Sequence, residues 1–365
     1  MTNEAAYWIT LAHIPGWGYV KTNALVVKFF HEQNKSIEEF FDLPQTDWQT
    51  IYNLDQKDID LLNAAKAGLP NNAFLAEQLE NEGYELIPIT SPEYSQTLKD
   101  NLKVSHAPTL LYIKGNKQIL QEKSVAIVGS REASEHSLHF TDNMARKATK
   151  DFKVIVSGFA KGVDKQALDS AIKYIGQSII VLPQGIMTFG SGFKTYHNQI
   201  ADGDVLVLST FHPRAPWKAE LALARNSIIY GLADEIYVAE SSDKGGTWSG
   251  VIDGLRKKRK IYVHLFEANE TSANELLIQK GAIPIDYDGN ILNVNGITIE
   301  QTVLYENNVL QLLHQGIYTI KEIINKLQLP WSESELRDFL KSQRGVETIN
   351  KKPIRYTSIQ QTLFD

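Results

Sequence analysis

The chain has 365 residues, a hydrophobic fraction of 43% and a formal net charge of −6. This length predicts about two to three domains, and the hydrophobic fraction is typical of globular proteins with sizeable cores. The charge excludes a protein coated in positive charge but allows a local basic patch. The absence of cysteine excludes disulfides and thiolate zinc sites. Because the N-terminus lacks a signal-peptide pattern and no apolar run reaches about eighteen residues, we expect a cytoplasmic protein without a membrane span.

Residues 1–83 carry helical patterns and predict an N-terminal helical domain of the hairpin-like (helix-hairpin-helix or SAM-like) type. A short helix is expected to end near Leu11, and an amphipathic helix is expected to continue to about Phe30. The segment His13–Gly18 lies between them, and its glycines allow a tight turn. That turn is either a phosphate-binding hairpin or a plain connection between helices. Further helices are predicted near 58–67 and 73–81.

From Tyr84 onward the pattern predicts strands that alternate with helices. Strands are expected at 84–90 and 109–116, and near Val125, Val154, Ile179, Val205, Ile236 and Ile261. Strands that alternate with helices indicate a mostly parallel, doubly wound sheet. We therefore predict an α/β fold with an extended Rossmann-like core over residues 84–285.

The last part of the chain predicts a linker and a small C-terminal domain. Residues 286–302 are rich in asparagine and glycine and are interpreted as a linker with room for a small hairpin. Residues 303–365 predict three helices and a basic two-stranded hairpin, the arrangement of a winged helix. Capping boxes at Thr319–Glu322 and Ser332–Glu335 predict the starts of the second and third helices.

The third of these helices has two interpretations. Arg337, Lys341 and Arg344 are spaced to lie on one helix face, as in a DNA-reading helix. Acidic residues crowd the same helix, however. Both a DNA-binding regulator and a protein-docking module therefore remain open.

Two stretches of the core place small residues directly after a buried strand, about thirty residues apart, as in one βαβ unit. The first contains Gly129, Ser130 and Arg131, which offer close backbone approach, a hydroxyl donor and a bidentate fork for phosphate. The second contains a further small-residue turn, followed by an acidic residue that either caps the next helix or binds a ribose or base: Ser157, Gly158, Ala160, Gly162 and Asp164. Such turns form phosphate sites at the carboxyl ends of strands.

Three later loops also follow strands and are expected at the same sheet edge. The loop after Gly185 interleaves aromatic and basic side chains, and it forms either a stacking platform for unpaired bases or an ordinary loop with buried aromatics: Phe189, Phe193, Lys194, Tyr196 and His197. Arg225 and Asn226 are expected at the head of an apolar helix, where Arg225 adds a cation at the same sheet edge. Glu240 ends a strand, and the glycine-rich loop that follows it is predicted to form a backbone nest for an anion, with Gly245, Gly246 and Thr247.

The predicted edge is suited to holding phosphates and bases. None of its loops carries a nucleophile–base pair, and the nine histidines lack metal-ligand spacing. We therefore expect no catalytic residue, no metal and no cofactor. The candidate DNA- or phosphate-binding residues are Gly129, Ser130, Arg131, Ser157, Gly158, Gly162, Asp164, Gly185, Phe189, Phe193, Lys194, Arg225, Asn226, Glu240, Gly245, Gly246 and Thr247.

The order and spacing of these motifs resemble those of the DNA-processing protein A family, also called DprA or Smf, over nearly the whole chain. The resemblance rests on Gly129-Ser130-Arg131, Ser157 through Asp164, Gly185, Ala224-Arg225-Asn226 with Ile228, Ile229, Gly231 and Leu232, and Glu240. Three places depart from the family pattern. Leu168 stands where a histidine is usual, Thr210 where a glutamate is usual, and Gly245-Gly246-Thr247 replaces Ser-Gly-Ser.

The resemblance implies a single-stranded DNA-binding protein that protects incoming DNA, forms a homodimer through its core and loads the RecA recombinase during natural transformation. The alternative is a nucleotide-binding sensor or nucleotide hydrolase of the same Rossmann-like superfamily. Phosphoribohydrolases of that group carry a PGGxGTxxE loop. Lys244 to Val251 keeps two glycines and a threonine but has no glutamate directly after them. We therefore expect a protein that is not an enzyme.

Overall fold

The computed structural model describes residues 2–266, 272–292, 299–329, 331, 333–343, 345–349 and 354–358. The chain forms two compact units, Met1–Ile291 and Leu292–Asp365. The finer division predicted from the sequence, with boundaries at residues 83, 285 and 302, stays a prediction. Among the described residues, none of the helices is long and apolar enough to cross a membrane.

The first unit begins with helices that bury a cluster of aromatic side chains. These helices are α1 (Thr2–Ala12), α2 (Tyr19–Val26, continued by a π-helical turn at Val27–Glu32), α3 (Ile37–Phe41), α4 (Gln45–Thr50), α5 (Gln56–Ala67) and α6 (Leu69–Asn81). Phe29, Phe40 and Phe41 are fully buried among them. The indole of Trp48 donates a hydrogen bond of 2.9 Å to the carbonyl of Phe40. Large aromatic surfaces removed from water stabilise this short-helix assembly.

The rest of this unit is built on a large sheet that confirms the predicted strands. Its strands are β1 (Glu85–Pro88), β2 (Leu110–Lys114), β3 (Ser124–Val128), β4 (Val154–Ser157), β5 (Ser178–Val181), β6 (Val205–Ser209), β7 (Glu235–Val238), β8 (Ile261–His264) and β9 (Ile283–Ile285). In the described part of the chain, the spatial order is β1-β2-β6-β5-β4-β3-β7-β8-β9. The strands from β6 to β9 pair in parallel, whereas β1 and β2 add antiparallel pairs at one side.

Helices cover both faces of the sheet. They are α7 (Gln96–Leu102), α8 (Glu135–Lys150), α9 (Val163–Lys173), α10 (Gly190–Thr195), α11 (His197–Ala201), α12 (Ala219–Leu232), α13 (Gly245–Arg256) and α14 (Asn274–Gln279), with short 3₁₀ turns at Lys117–Gln121 and Ile186–Thr188. Val125 and Ile127 pack on the face covered by α8 and α9, and Ala126 and Val128 pack on the other. This alternation buries both faces of β3, as its unbroken apolar sequence predicts.

The connections of the sheet reverse direction between β3 and β7. From β3 the chain proceeds through β4 and β5 to β6, whereas from β7 it proceeds the opposite way through β8 to β9. Loops after β3 and β7 therefore leave in opposite directions and open a crevice at their carboxyl ends. Ligands of doubly wound sheets bind at such a switch point.

The second unit contains α15 (Ile299–His314), β10 (Tyr318–Thr319), α16 (Ile320–Leu327), α17 (Glu333–Ser342), β11 (Val346–Ile349) and β12 (Arg355–Ser358). Its described strands pair antiparallel in the order β10-β12-β11. Val309, Leu313, Ile323 and Leu336 are buried in its core. The predicted capping box is confirmed at the start of α16, whose Thr319 hydroxyl accepts from the N–H of Glu322.

One detail of the sequence interpretation changes in this unit. Helix α15 begins at Ile299, inside the segment interpreted as a linker. Arg337 and Lys341 are exposed on α17. Ser332 of the second capping box and Arg344 of the basic face lie outside the described residues. The winged helix stays a prediction.

Candidate nucleic-acid interface

A cleft of about 550 Å³ lies at the carboxyl ends of β3 and β7. It is lined by the turn after β3, the loop after β7, the first turn of α13 and the N-terminal half of α12, including Gly129, Ser130, Arg131, Glu132, Asp164, Trp217, Arg225, Asn226, Lys244, Gly245, Gly246 and Thr247. Helix α12 begins at Ala219, so Arg225 lies in its second turn and not at the predicted head of the helix. An adjoining groove of about 700 Å³ shares Arg131, Glu132, Trp217 and Arg225 with the cleft and adds Lys161. The switch point is therefore a concavity whose described lining holds three cations, Arg131, Arg225 and Lys244, and two acids.

The turns after β3 and β4 are held against each other by close backbone packing. The Ser130 N–H donates to the carbonyl of Glu240, 2.9 Å away, and the Val163 N–H donates to the carbonyl of Ser130, 3.2 Å away. Gly162 has φ +78°, and a Cβ added there would lie 2.3 Å from the Ser130 carbonyl oxygen. Only glycine fits that approach. Arg131 follows these fixed turns and is exposed at the cleft mouth.

Arg225 forms the floor of the cleft. Its side chain projects from α12 and is only 4% exposed, and its Nη1 donates to the carbonyl of Val181 at 3.1 Å. The same Nη1 lies 3.8 Å from a carboxylate oxygen of Asp164. The Arg225 Nε makes no hydrogen bond with the described residues. A buried donor without a partner is costly, and because the Nε is itself buried, an acceptor reaches it only after neighbouring atoms move.

Burial controls the ionisation of this pair. Burial raises the pKa of Asp164, while the positive charge of Arg225 and the N–H groups of Ala160 and Gly158 oppose that rise. Burial lowers the pKa of Arg225, and the Asp164 charge opposes the change. The floor of the cleft therefore holds the Arg225 guanidinium 3.8 Å from the Asp164 carboxyl group.

The loop after β7 supplies backbone donors. Thr247 donates its hydroxyl to the Gly129 carbonyl at 3.0 Å, which holds this loop against the turn after β3. Helix α13 begins at Gly245, so the unpaired N–H groups of its first turn lie in the cleft lining. These donors and the helix dipole favour an anion. The predicted nest is therefore a helix N-terminus in the same concavity as Arg131 and Arg225.

Glu240 hydrogen bonds to the start of α8. Its carboxylate accepts hydrogen bonds from the Ser134 N–H at 2.9 Å, the Ser134 hydroxyl at 2.8 Å and the Ser137 hydroxyl at 2.7 Å. Ser134 is the N-cap of that helix. Glu240 is absent from the described lining of the cleft. It anchors the start of α8 to the end of β7, and its contact with a ligand stays a prediction.

The aromatic loop after β5 forms no stacking platform at two of its predicted members. Phe189 is 6% exposed and Tyr196 is 3% exposed. Both pack edge-to-face on Phe159, with ring centroids at 5.0 and 5.7 Å. The simpler interpretation, an ordinary loop with buried aromatics, is therefore the correct one for these residues. Phe193 is half-buried and packs against Tyr84 and Phe189.

The remaining predicted residues either lie away from the cleft or pack behind the residues that line it. Lys194 is exposed on α10 but does not line the cleft or its adjoining groove. Gly185 is buried, and a Cβ there would lie 2.3 Å from the carbonyl oxygens of His212 and Pro213. The Ser157 hydroxyl donates to the Ile127 carbonyl at 2.9 Å. Gly158 lies directly beneath the Asp164–Arg225 pair.

The sequence interpretation missed the exposed side chains at the rim. Trp217 is 53% exposed and lines both the cleft and the adjoining groove. Leu223 is 60% exposed on the next helix. Lys161 and Lys244 are exposed basic residues in the same lining. A tryptophan between Pro216 and Lys218, just ahead of the helix that carries Arg225, is the signal that points to Trp217.

Two departures from the family pattern have structural roles here. Leu168 is 2% exposed and belongs to the hydrophobic core. Thr210 is 7% exposed and lies directly after β6. Neither residue lines the cleft among the described residues. The third departure, Gly245-Gly246-Thr247, does line it.

Comparison with known proteins agrees with this architecture. DNA processing protein DprA of Streptococcus pneumoniae is 34% identical over 164 residues, which are 45% of this chain and 57% of that protein. Protein Smf of Synechocystis is 25% identical over 312 residues, which are 78% of this chain and 74% of that protein. The X-ray structure of DprA from Streptococcus pneumoniae superposes with a TM-score of 0.60 at 24% identity, over 78% of this chain and 95% of that chain, and so shares the fold.

The family model described as DNA recombination-mediator protein A matches residues 85–295. The match contains the whole large sheet from β1 to β9 and every described residue of the cleft lining. It extends over more than half of the chain. This chain therefore belongs to the DNA recombination-mediator protein A family, known also as DprA or Smf.

Proposed function

We propose that this protein binds single-stranded DNA in the cleft at the carboxyl ends of β3 and β7. Membership in a family of DNA recombination mediators supports a DNA ligand. The observation that carries the proposal is that the exposed Arg131 and the buried Arg225 line one cleft. Two guanidinium groups and a helix N-terminus in one concavity match a phosphate backbone.

The preference for single strands follows from the rim. Trp217 is half exposed beside the two arginines, and its ring is available to a base. Bases offer their faces only when they are unpaired, and stacking on an aromatic ring contributes about 1–3 kcal/mol per base. The cleft thus combines a backbone track with one stacking position. Trp217 thus has the base-stacking role that the sequence interpretation gave to the loop of Phe189.

The proposal extends to self-association. The sheet ends at β9, and large apolar side chains lie exposed around that edge: Leu276, Tyr287 and Ile291. Exposed apolar residues grouped beside an edge strand form a surface that a second copy can cover. We propose a homodimer, whose two clefts form one longer track. Sedimentation at micromolar concentration is expected to show the dimer, and a strict monomer would contradict it.

The biological role proposed for the bound strand is protection of incoming DNA and loading of RecA during natural transformation. It rests on family membership, and it requires the cleft to hold DNA. RecA filaments are expected to form faster on single strands bound by this protein than on strands bound by an Arg131→Ala variant. Equal rates would remove the RecA step from the proposal while leaving DNA binding intact.

The direct test is a salt titration of DNA binding with Arg131→Ala. Affinity for a fluorescent oligothymidylate should fall, and the slope of log affinity against log salt should flatten by about 0.7 for one lost contact with a single strand. Arg256→Ala is the matched control, because Arg256 is exposed at the far end of α13. Equal effects of the two substitutions would contradict the cleft as the DNA site.

Competition by free nucleotides distinguishes DNA binding from the alternative function, a nucleotide-binding sensor or hydrolase. Free nucleoside monophosphates are expected to compete only weakly, because a single phosphate engages a fraction of the track. Tight competition by a mononucleotide, with no dependence of affinity on oligonucleotide length, would favour a nucleotide-binding sensor. Release of free base from the mononucleotide would favour a hydrolase.

A further inference from the structure

Two exposed apolar side chains in an unusual backbone conformation lie at the amino ends of β4 and β5, at the opposite end of the strands from the cleft. Phe152 follows α8 and is 92% exposed, and Ile175 follows α9 and is 86% exposed. Their φ angles are +55° and +59°. A left-handed conformation is uncommon for residues other than glycine, and for a bulky or β-branched residue it is an outlier.

Both residues occupy the same position in the same helix-ending motif. The N–H after Phe152 donates to the Ala148 carbonyl, and the N–H after Ile175 donates to the Ala171 carbonyl. This six-to-one bond marks a Schellman motif, whose left-handed position is normally glycine. Here two neighbouring helices each place a large apolar residue there. The left-handed backbone costs free energy at both positions, and the exposed side chains bury no apolar surface in return. Folding stability therefore does not explain the choice of Phe152 and Ile175.

The two side chains border one groove of about 470 Å³. Tyr174 adds an aromatic wall, and the basic lining residues are Arg146, Lys150 and Lys153. The described lining contains no carboxylate. Lys150 makes no ion pair within the described residues, whereas Lys153 pairs with Glu235 at 2.9 Å. The groove is therefore lined by both apolar and basic side chains.

We propose that this groove, the Phe152–Ile175 groove, binds an acidic peptide segment of another protein that carries an aromatic or branched aliphatic side chain. The apolar side chain of the peptide enters between Phe152 and Ile175, and flanking carboxylates pair with Lys150 and its basic neighbours. Apolar anchors in a pocket supply most of the affinity, and complementary charges supply specificity.

Two other occupants fit less well. A symmetric dimer through this groove would bring its basic lining against itself, because a two-fold interface joins identical patches. An anionic membrane would also meet the surface around the groove on a protein of net charge −6, which repels it, whereas a short acidic peptide contacts the groove alone. The groove belongs to the opposite end of the sheet from the cleft, since Phe152 and Ile175 directly precede the β4 and β5 segments while the cleft follows β3 and β7. A peptide can therefore bind while DNA is held.

The test is selection from a phage-displayed library of random dodecapeptides on the full chain, with a Phe152→Gly/Ile175→Gly double variant as the counter-selection. Glycine suits the left-handed conformation, so the double variant is expected to unfold at the same temperature or a higher one. Peptides enriched on the wild type should combine Asp or Glu with an aromatic or branched residue. A synthetic copy should bind about tenfold more weakly to the double variant and to Lys150→Glu.

Three outcomes overturn the proposal. They are no enrichment over the double variant, enrichment of peptides without acidic residues, and retention of the synthetic peptide by both variants. Binding to phosphatidylglycerol vesicles that is lost in the double variant would instead assign the groove to a membrane surface. Oligothymidylate affinity, measured in parallel, is expected to stay unchanged, which separates this groove from the DNA cleft.

Discussion

Gly158 is the residue on which the floor of the cleft depends most closely. A Cβ there would lie 1.5 Å from Arg225 Nη1 and 2.4 Å from the Asp164 carboxylate. We therefore expect Gly158→Ala to displace the guanidinium, with a loss of about 1–3 kcal/mol in the free energy of unfolding from overpacking. Oligothymidylate affinity should fall with it.

Gly190→Ala is the control for Gly158→Ala. A Cβ at Gly190 would meet nothing within 4 Å. Urea denaturation of the two variants measures the difference in unfolding free energy. Equal unfolding free energies of the two variants would contradict this expectation, because they would show that Arg225 and Asp164 move aside without a loss of stability.

His13 gives this protein a predicted sensitivity to acid. Burial, aided by the neighbouring His212, lowers the pKa of His13 to about 3. Its Nε2 lies 2.8 Å from the Tyr112 hydroxyl. The unfolded chain takes up a proton near pH 6.5 and the folded chain does not, so the stabilisation is complete above pH 6.5 and declines as the pH falls toward 3. One proton gives a slope of about 1.4 kcal/mol per pH unit.

Replacement of His13 tests this slope. In His13→Gln the free energy of unfolding should depend less steeply on pH between about 6 and 4 than in the wild type. His139→Gln removes an exposed histidine and serves as the comparison. Parallel pH profiles for wild type and His13→Gln would contradict a neutral, buried His13.

Local sequence pattern was enough to predict some residues of the cleft, but it could not predict residues whose position depends on contacts that are distant in sequence. Gly129, Ser130 and Arg131 follow a buried strand directly, so local pattern fixes their place at the sheet edge. Whether an aromatic side chain points inward depends on partners that are distant in sequence. Phe189 packs on Phe159, thirty residues away in the chain, and no local pattern reveals that contact.

The end of β7 and the start of α8 are joined by one carboxylate. Glu240 accepts from two serine hydroxyls and one N–H at the α8 terminus. Glu240→Ala should therefore reduce the free energy of unfolding by about 1 kcal/mol, because the exposed Ser134 and the buried Ser137 lose a shared acceptor at a helix N-terminus.

Thermal or urea unfolding of Glu240→Ala checks this expectation beside Glu122→Ala, which removes an exposed carboxylate elsewhere. DNA affinity should fall less in Glu240→Ala than in Arg131→Ala, because Glu240 acts on the framework alone. A variant with normal stability and abolished DNA binding would return Glu240 to the direct contacts first predicted for it.

The elements themselves were largely predictable, but their spatial order was not. Unbroken apolar runs such as Val125–Val128 and Val205–Leu208 indicate buried parallel strands, and both were predicted. Nothing local shows that β2 pairs antiparallel with β6, because that register joins Tyr112 to Ser209 across almost a hundred residues. The left-handed Phe152 and Ile175 were equally hidden, since glycine is the usual signal for such a conformation.

The whole molecule places a basic cleft on a protein of net charge −6. Acidic surroundings repel a nucleic-acid backbone from most of the surface, and the cations of the cleft remain the favourable place for it. DNA binding should therefore depend strongly on salt and on a few cationic side chains. The C-terminal unit, with its exposed Arg337 and Lys341, is the competing location for nucleic acid within the described residues.

Photocrosslinking with an oligonucleotide that carries 5-iododeoxyuridine decides between these locations most directly. Mass spectrometry of the crosslinked peptides should identify Trp217 and peptides that contain Arg131 or Gly245–Thr247, and the crosslink at Trp217 should disappear in Arg131→Ala. Crosslinks confined to the loop of Lys194 and His197, or to the C-terminal unit, would contradict the cleft between β3 and β7 as the DNA-binding site.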